Sequence, residues 1–141
     1  MKLNEIFDKL KSYKKAVITA PPFMGKDDTV PAPYLEFLRF TDGAELFVPG
    51  TVLYGVNSSE FPTLKEKNTP EFIHAYGLDA NLTVIGHFVF GDLICMEGSV
   101  PHRLYLWDVQ QKARLLEWNT LEEFLKSEIE DYESFCEEMG V

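Results

Sequence analysis

Between Leu82 and Trp118 the chain alternates β-prone runs with links too short to do anything but reverse its direction. Leu82-Thr83-Val84-Ile85-Gly86 runs into His87-Phe88-Val89-Phe90, and a Gly91-Asp92 turn leads to Leu93-Ile94-Cys95-Met96-Glu97. A loop through Gly98 and Pro101 precedes Arg103-Leu104-Tyr105-Leu106-Trp107-Asp108, and a polar turn precedes Ala113-Arg114-Leu115-Leu116-Glu117-Trp118. A parallel return would need roughly a dozen residues or more, so these strands are antiparallel neighbours. Within the Arg103–Asp108 run, Leu104 and Leu106 point one way while Tyr105 and Trp107 point the other. One of those faces belongs to the core, and the second is either covered or used for binding.

Upstream, Leu46-Phe47-Val48 and Thr51-Val52-Leu53-Tyr54 flank Pro49-Gly50. In this pair proline presets φ and glycine takes a positive φ, so a hairpin or tight bend is expected, with Pro49 favouring an edge position. Ala16-Val17-Ile18-Thr19 is a brief β-prone run ended by Pro21-Pro22, while 23–29 and 57–67 read as irregular.

Helical periodicity brackets the strands. Leu3, Ile6, Phe7 and Leu10 recur at i, i+3, i+4, i+7, as do Tyr34, Phe37, Leu38 and Thr41. Pro33 falls in the first turn of the second helix, and Asp42-Gly43 is expected to stop it through a left-handed glycine. Thr69-Pro70-Glu71 starts a short helix that Gly77 ends. At the C-terminus, Asn119 with Glu122 or Thr120 with Glu123 forms a capping box. Leu121, Phe124, Leu125, Ile129, Tyr132, Cys136 and Met139 then make an apolar stripe that Gly140 closes. The fold class is therefore α+β: a single domain over residues 1–141 whose central, mostly antiparallel sheet of about five to six strands is braced by N-terminal, proline-initiated and C-terminal helices.

Charge narrows the function. The 141 residues carry 23 acids against 13 bases, a formal net charge of −10, and from Glu117 to Glu138 Lys126 is the only base. Nucleic-acid binding needs a basic surface to displace counterions, so this balance argues against it and leaves a basic protein partner or plain solubility. No apolar run approaches the roughly 20 residues of a membrane helix, and Glu5 interrupts any signal-peptide pattern, so a cytoplasmic location is expected. Cys95 and Cys136 have no metal-ligand spacing, and His74, His87 and His102 are not arranged as ligands. Gly25-Lys26 lacks both the following serine or threonine and the upstream glycine of a phosphate loop. Ser58-Ser59 lacks the glycine context of a nucleophile elbow. No enzyme, metal or cofactor signature is found.

Several of these segments together resemble a known family. Pro31, Tyr34, Phe37-Leu38 and Asp42-Gly43 are similar to the opening signature of the SUKH superfamily, with Val30 in place of its leucine and Asp42 in place of its asparagine. Val84-Ile85-Gly86, Gly91-Asp92 running into Leu93–Glu97, Leu104-Tyr105-Leu106-Trp107-Asp108 and Leu121-Glu122-Glu123-Phe124-Leu125 resemble its later segments in order. Many relatives place an acid-bearing helix directly before the leucine-proline, whereas here 16–29 is strand-like and loop. The resemblance implies a small α+β domain without chemistry of its own. Many members look like immunity proteins that neutralise bacterial toxins, and eukaryotic relatives serve in the regulation of cell-wall synthesis.

Two functions follow as expectations. The first is an immunity-type protein that docks on a basic, nuclease-like toxin domain; the alternative is a regulatory or scaffolding module with a cellular partner. Tyr54, Tyr105 and Trp107, rimmed by Asp42, Glu45, Asp92 and Asp108, have the composition of a protein-binding hot spot if they line a groove. Core packing is the commoner role for such rings, and the sequence leaves both open.

Overall fold

Among the described residues, seven strands pair antiparallel in chain order, so each hydrogen-bonds only to its neighbours in sequence. They are β1 (Val17–Thr19), β2 (Ala44–Leu46), β3 (Thr51–Leu53), β4 (Leu82–His87), β5 (Leu93–Glu97), β6 (Leu104–Asp108) and β7 (Ala113–Trp118). The computed structural model describes residues 1–140. The strand count exceeds the expected five to six because β1, β2 and β3 are three-residue strands, too short to show alternation.

Five helices surround the sheet: α1 (Leu3–Ser12), α2 (Ala32–Leu38), α3 (Leu64–Lys67), α4 (Pro70–Ala75) and α5 (Leu121–Met139). α5 starts against β7, where Trp118 meets Phe124 edge-on at 4.9 Å between ring centres. It then crosses the sheet, so that Glu128 reaches Thr51 of β3 and Tyr132 stacks on Phe47 at 4.3 Å. The opposite face carries Tyr105 and Trp107 and is covered by α4, whose C-cap Tyr76 accepts the Trp107 indole N–H at 3.0 Å. Asn68, at the end of α3, ties that helix to β4 by exchanging hydrogen bonds with both backbone groups of Val84.

Local chemistry accounts for the helix ends. Thr120 Oγ1 accepts from the Glu123 N–H at 3.1 Å, while Glu123 accepts from Asn119 N–H at 2.7 Å, which satisfies two donors at the start of α5. Gly140 closes it at φ 72°. α2 ends earlier than its periodicity indicates. Its C-cap is Arg39 in right-handed geometry, and Thr41 and Asp42 lie beyond it as buried loop residues. Gly43 does adopt φ 92°, but it turns the chain into β2 rather than capping the helix.

The Pro49-Gly50 turn joins β2 to β3 as expected, yet it lies inside the sheet order, and β1 and β7 are the edges. Phe47, not Gly50, takes the positive φ of 56°. Gly50 is required for a different reason: a Cβ there would sit 2.4 Å from the Leu46 carbonyl oxygen.

One half-buried acid, Glu128, makes the fold pH-sensitive. Burial raises the Glu128 carboxyl from 4.5 to about 7, although the Thr51 hydroxyl donates to it at 2.8 Å and lowers it, while Asp131 raises it further. The native state therefore holds this proton more tightly than the unfolded chain. The resulting stability is complete below about pH 4.5 and is lost as pH rises through about 7, a change on the order of 2 kcal/mol after solvent screening. Glu128→Gln keeps the Thr51 acceptor and should flatten that window in urea melts from pH 5 to 8, stabilising the protein at the upper end.

Candidate functional site

The seven residues expected to frame a groove are divided between the core and the two ends of the sheet. Asp42 is 6% exposed and sits beside the start of β2, where its carboxylate accepts from Val56 N–H at 2.6 Å and Asn57 N–H at 3.0 Å. Asp92 and Asp108 lie at the opposite end, in the β4–β5 turn and at the end of β6. Asp108 accepts from the Gln110 and Gln111 N–H groups at 2.9 and 3.0 Å, and Asp92 from Val109 N–H at 3.5 Å. These carboxylates organise loops.

Tyr54, Tyr105 and Trp107 are buried. Tyr54 Oη lies 2.6 Å from His87 Nδ1. Burial raises the Tyr54 hydroxyl well above its ordinary value and lowers the His87 imidazole, with Lys67 adding to the latter. Tyr105 lies under the Arg114 guanidinium, 3.9 Å from the ring centre, and donates to Glu97 at 3.2 Å. The aromatic set thus fills the sheet's α4 side, and the expected groove does not form. Glu45 is part-exposed, as are Asp92 and Asp108, and stands in a cross-strand row with Ile18, Val52 and His87.

An aromatic and acidic surface exists elsewhere. Leu121, Phe124, Leu125 and Ile129 bury the first half of α5. Past Ile129 no residue of α5 is buried, and its contacts are to Phe47 and to α1 with the residue that caps it. There Tyr132 packs between Phe47 and Tyr13, and Glu133 takes the Tyr13 hydroxyl at 3.1 Å and Lys9 Nζ at 3.4 Å. Burial and the Glu133 carboxylate together hold the Tyr13 hydroxyl at about 12. Phe135 (56%) and Met139 (63%), further along the helix, are exposed. On a helix, Asp131 and Glu138 are the i−4 and i+3 neighbours of Phe135, so the ring stands among acids. Met139 keeps the spacing of the apolar stripe but is exposed, because burial of α5 stops at Ile129. The sequence signal for this surface was Phe135 itself, an apolar residue late in a helix whose second half is rich in acids.

A cleft of about 630 Å³ opens on the α4 side between the 27–30 loop, α3, α4 and β4. Asp27, Asn57, Lys65 and Thr83 are among its polar lining residues.

A family model described as the SMI1 / KNR4 family (SUKH-1) matches residues 29–127. The chain belongs to this family. No curated protein and no solved structure matches it significantly. The SMI1/KNR4 match runs from just before Val30 through all of β2 to β7 and ends at Ser127. It therefore takes in the buried first part of α5 and leaves out the later segment that carries Phe135 and Met139. α1 and β1 also fall outside it.

Proposed function

We propose that this SMI1/KNR4 chain is a non-catalytic, immunity-type protein that binds and neutralises a basic toxin domain. The contact is the acidic second half of α5, anchored by Phe135 and Met139. The observation that carries this reading is an exposed aromatic ring flanked by Asp131 and Glu138, on a segment beyond the family match. A helix held by Glu133 and Tyr132 presents such a ring at little cost in ordering, which is what a hot-spot anchor requires. Surrounding carboxylates speed encounter with a cationic partner, and that effect fades as salt screens it.

The direct test titrates the purified protein with the toxin domain encoded beside it, at low and high salt. Binding at low salt, with an association rate that falls at least tenfold at high salt, is expected. Failure to bind at low salt would overturn the proposal. A genomic neighbourhood without a toxin gene would instead assign the same surface to a cellular partner, in a regulatory or scaffolding role.

A further inference from the structure

We propose that β7 is a self-pairing edge, through which two copies of this chain associate by antiparallel β7–β7 contact centred on Leu116. The two edges of the sheet differ sharply. β1 has three residues, whereas β7 has six and carries neither proline nor lysine; its edge features are the charges Arg114 and Glu117 and a bulge at Leu115, which a partner strand has to match. Leu115 and Leu116 are 50% and 56% exposed, and every β7 residue before Trp118 is exposed. Its outward backbone groups face no neighbouring strand.

What selects a second copy as the occupant is the placement of charge. Glu117 pairs with Tyr105 and Arg114 with Trp107, across a register shift that leaves Leu115 as an extra residue. Tyr105 and Trp107 are two apart and share a face, so Arg114 and Glu117 share it too. Three residues apart in a regular strand they would point to opposite faces; the bulge at Leu115 brings them to the same one. A two-fold axis normal to the sheet at Leu116 then sets Arg114 of each copy opposite Glu117 of the other, and Ala113 opposite Trp118. The edge is therefore self-complementary in charge and face, as an isologous contact must be.

The monomer's own contacts prepare both side chains. Arg114 is held by Asp79 at 2.9 Å and by stacking on Tyr105, and Glu117 by Arg103 at 3.4 Å, yet each remains about half exposed. The net charge of −10 opposes association at long range. At about 0.15 M salt that repulsion is confined to roughly 8 Å. α5 leads away from β7 toward β3 and α1, so pairing at this edge leaves Phe135 free, and the inference stands apart from toxin binding.

The test is sedimentation velocity of the full chain across concentration at about 0.15 M salt. A contact at the small end of specific interfaces predicts a monomer–dimer equilibrium with a dissociation constant on the order of 10 μM. Leu116→Lys should leave only monomer, with unchanged circular dichroism. Arg114→Glu and Glu117→Arg should each weaken self-association at least fivefold, while an equimolar mixture of the two should associate like the wild type, because each pair across the axis is then complementary. A wild type that stays monomeric at 1 mM (about a hundredfold above that constant), a dimer that survives Leu116→Lys, or a mixture that fails to recover would each overturn the proposal.

Discussion

Tyr34→Ala should leave the protein largely unfolded at 37 °C, and Tyr34→Phe should not. The ring is 0% exposed and lies 5.6 Å from Phe37 in a stacked pair. Its hydroxyl donates to the Tyr54 carbonyl and lies 3.4 Å from that of Ile85, where the chain leaving β3 lies against β4. Truncating such a ring costs about 3–5 kcal/mol through lost burial and the cavity it leaves. A buried carbonyl left without its donor adds about 1–3 kcal/mol. Against a total of about 5–15 kcal/mol for a domain, little stability remains. The phenylalanine variant loses only the hydroxyl and should cost about 1–2 kcal/mol. Urea midpoints for the pair separate the two contributions.

Asp42→Ala is the second large effect expected. One carboxylate satisfies two backbone donors of the 55–57 turn, and Gly55 approaches so closely that a Cβ there would lie 2.5 Å from the Asp42 carbonyl. Removing the acceptor strands both N–H groups in a part-buried loop, at a cost of about 2–4 kcal/mol. Asp42→Asn keeps one oxygen but turns an amide donor toward the other N–H, and should cost about 1–2 kcal/mol. Amide exchange of Val56 and Asn57 should quicken in both variants, more so in the alanine one.

The sheet's central strands were legible because four runs separated by short turns admit one pairing pattern. The capping of α5 and α4 was legible for a similarly local reason: Thr120, Glu123 and Thr69 satisfy backbone donors within a few residues of themselves. What the sequence could not convey depended on distant cover. Trp107 alternates with apolar neighbours whether or not a helix lies over it, and the helix that does, α4, is only six residues long. α3, at four residues, is below the length at which periodicity shows. Asp42 looked like a rim acid because nothing local reveals that the turn at Val56 and Asn57 folds back onto it. Met139 keeps the helical spacing of a core residue past the point where burial of α5 stops, and Phe135 is an exposed ring on the same stretch.

The most direct test of the proposed binding is the affinity of Phe135→Ala for the basic toxin domain proposed as its partner, measured by calorimetric titration at low salt. Phe135 is exposed, so the variant should fold and melt like the wild type while its dissociation constant rises about 30-fold or more, the loss expected of a hot-spot anchor. Unchanged affinity in a fully folded variant would contradict the placement of the contact on α5.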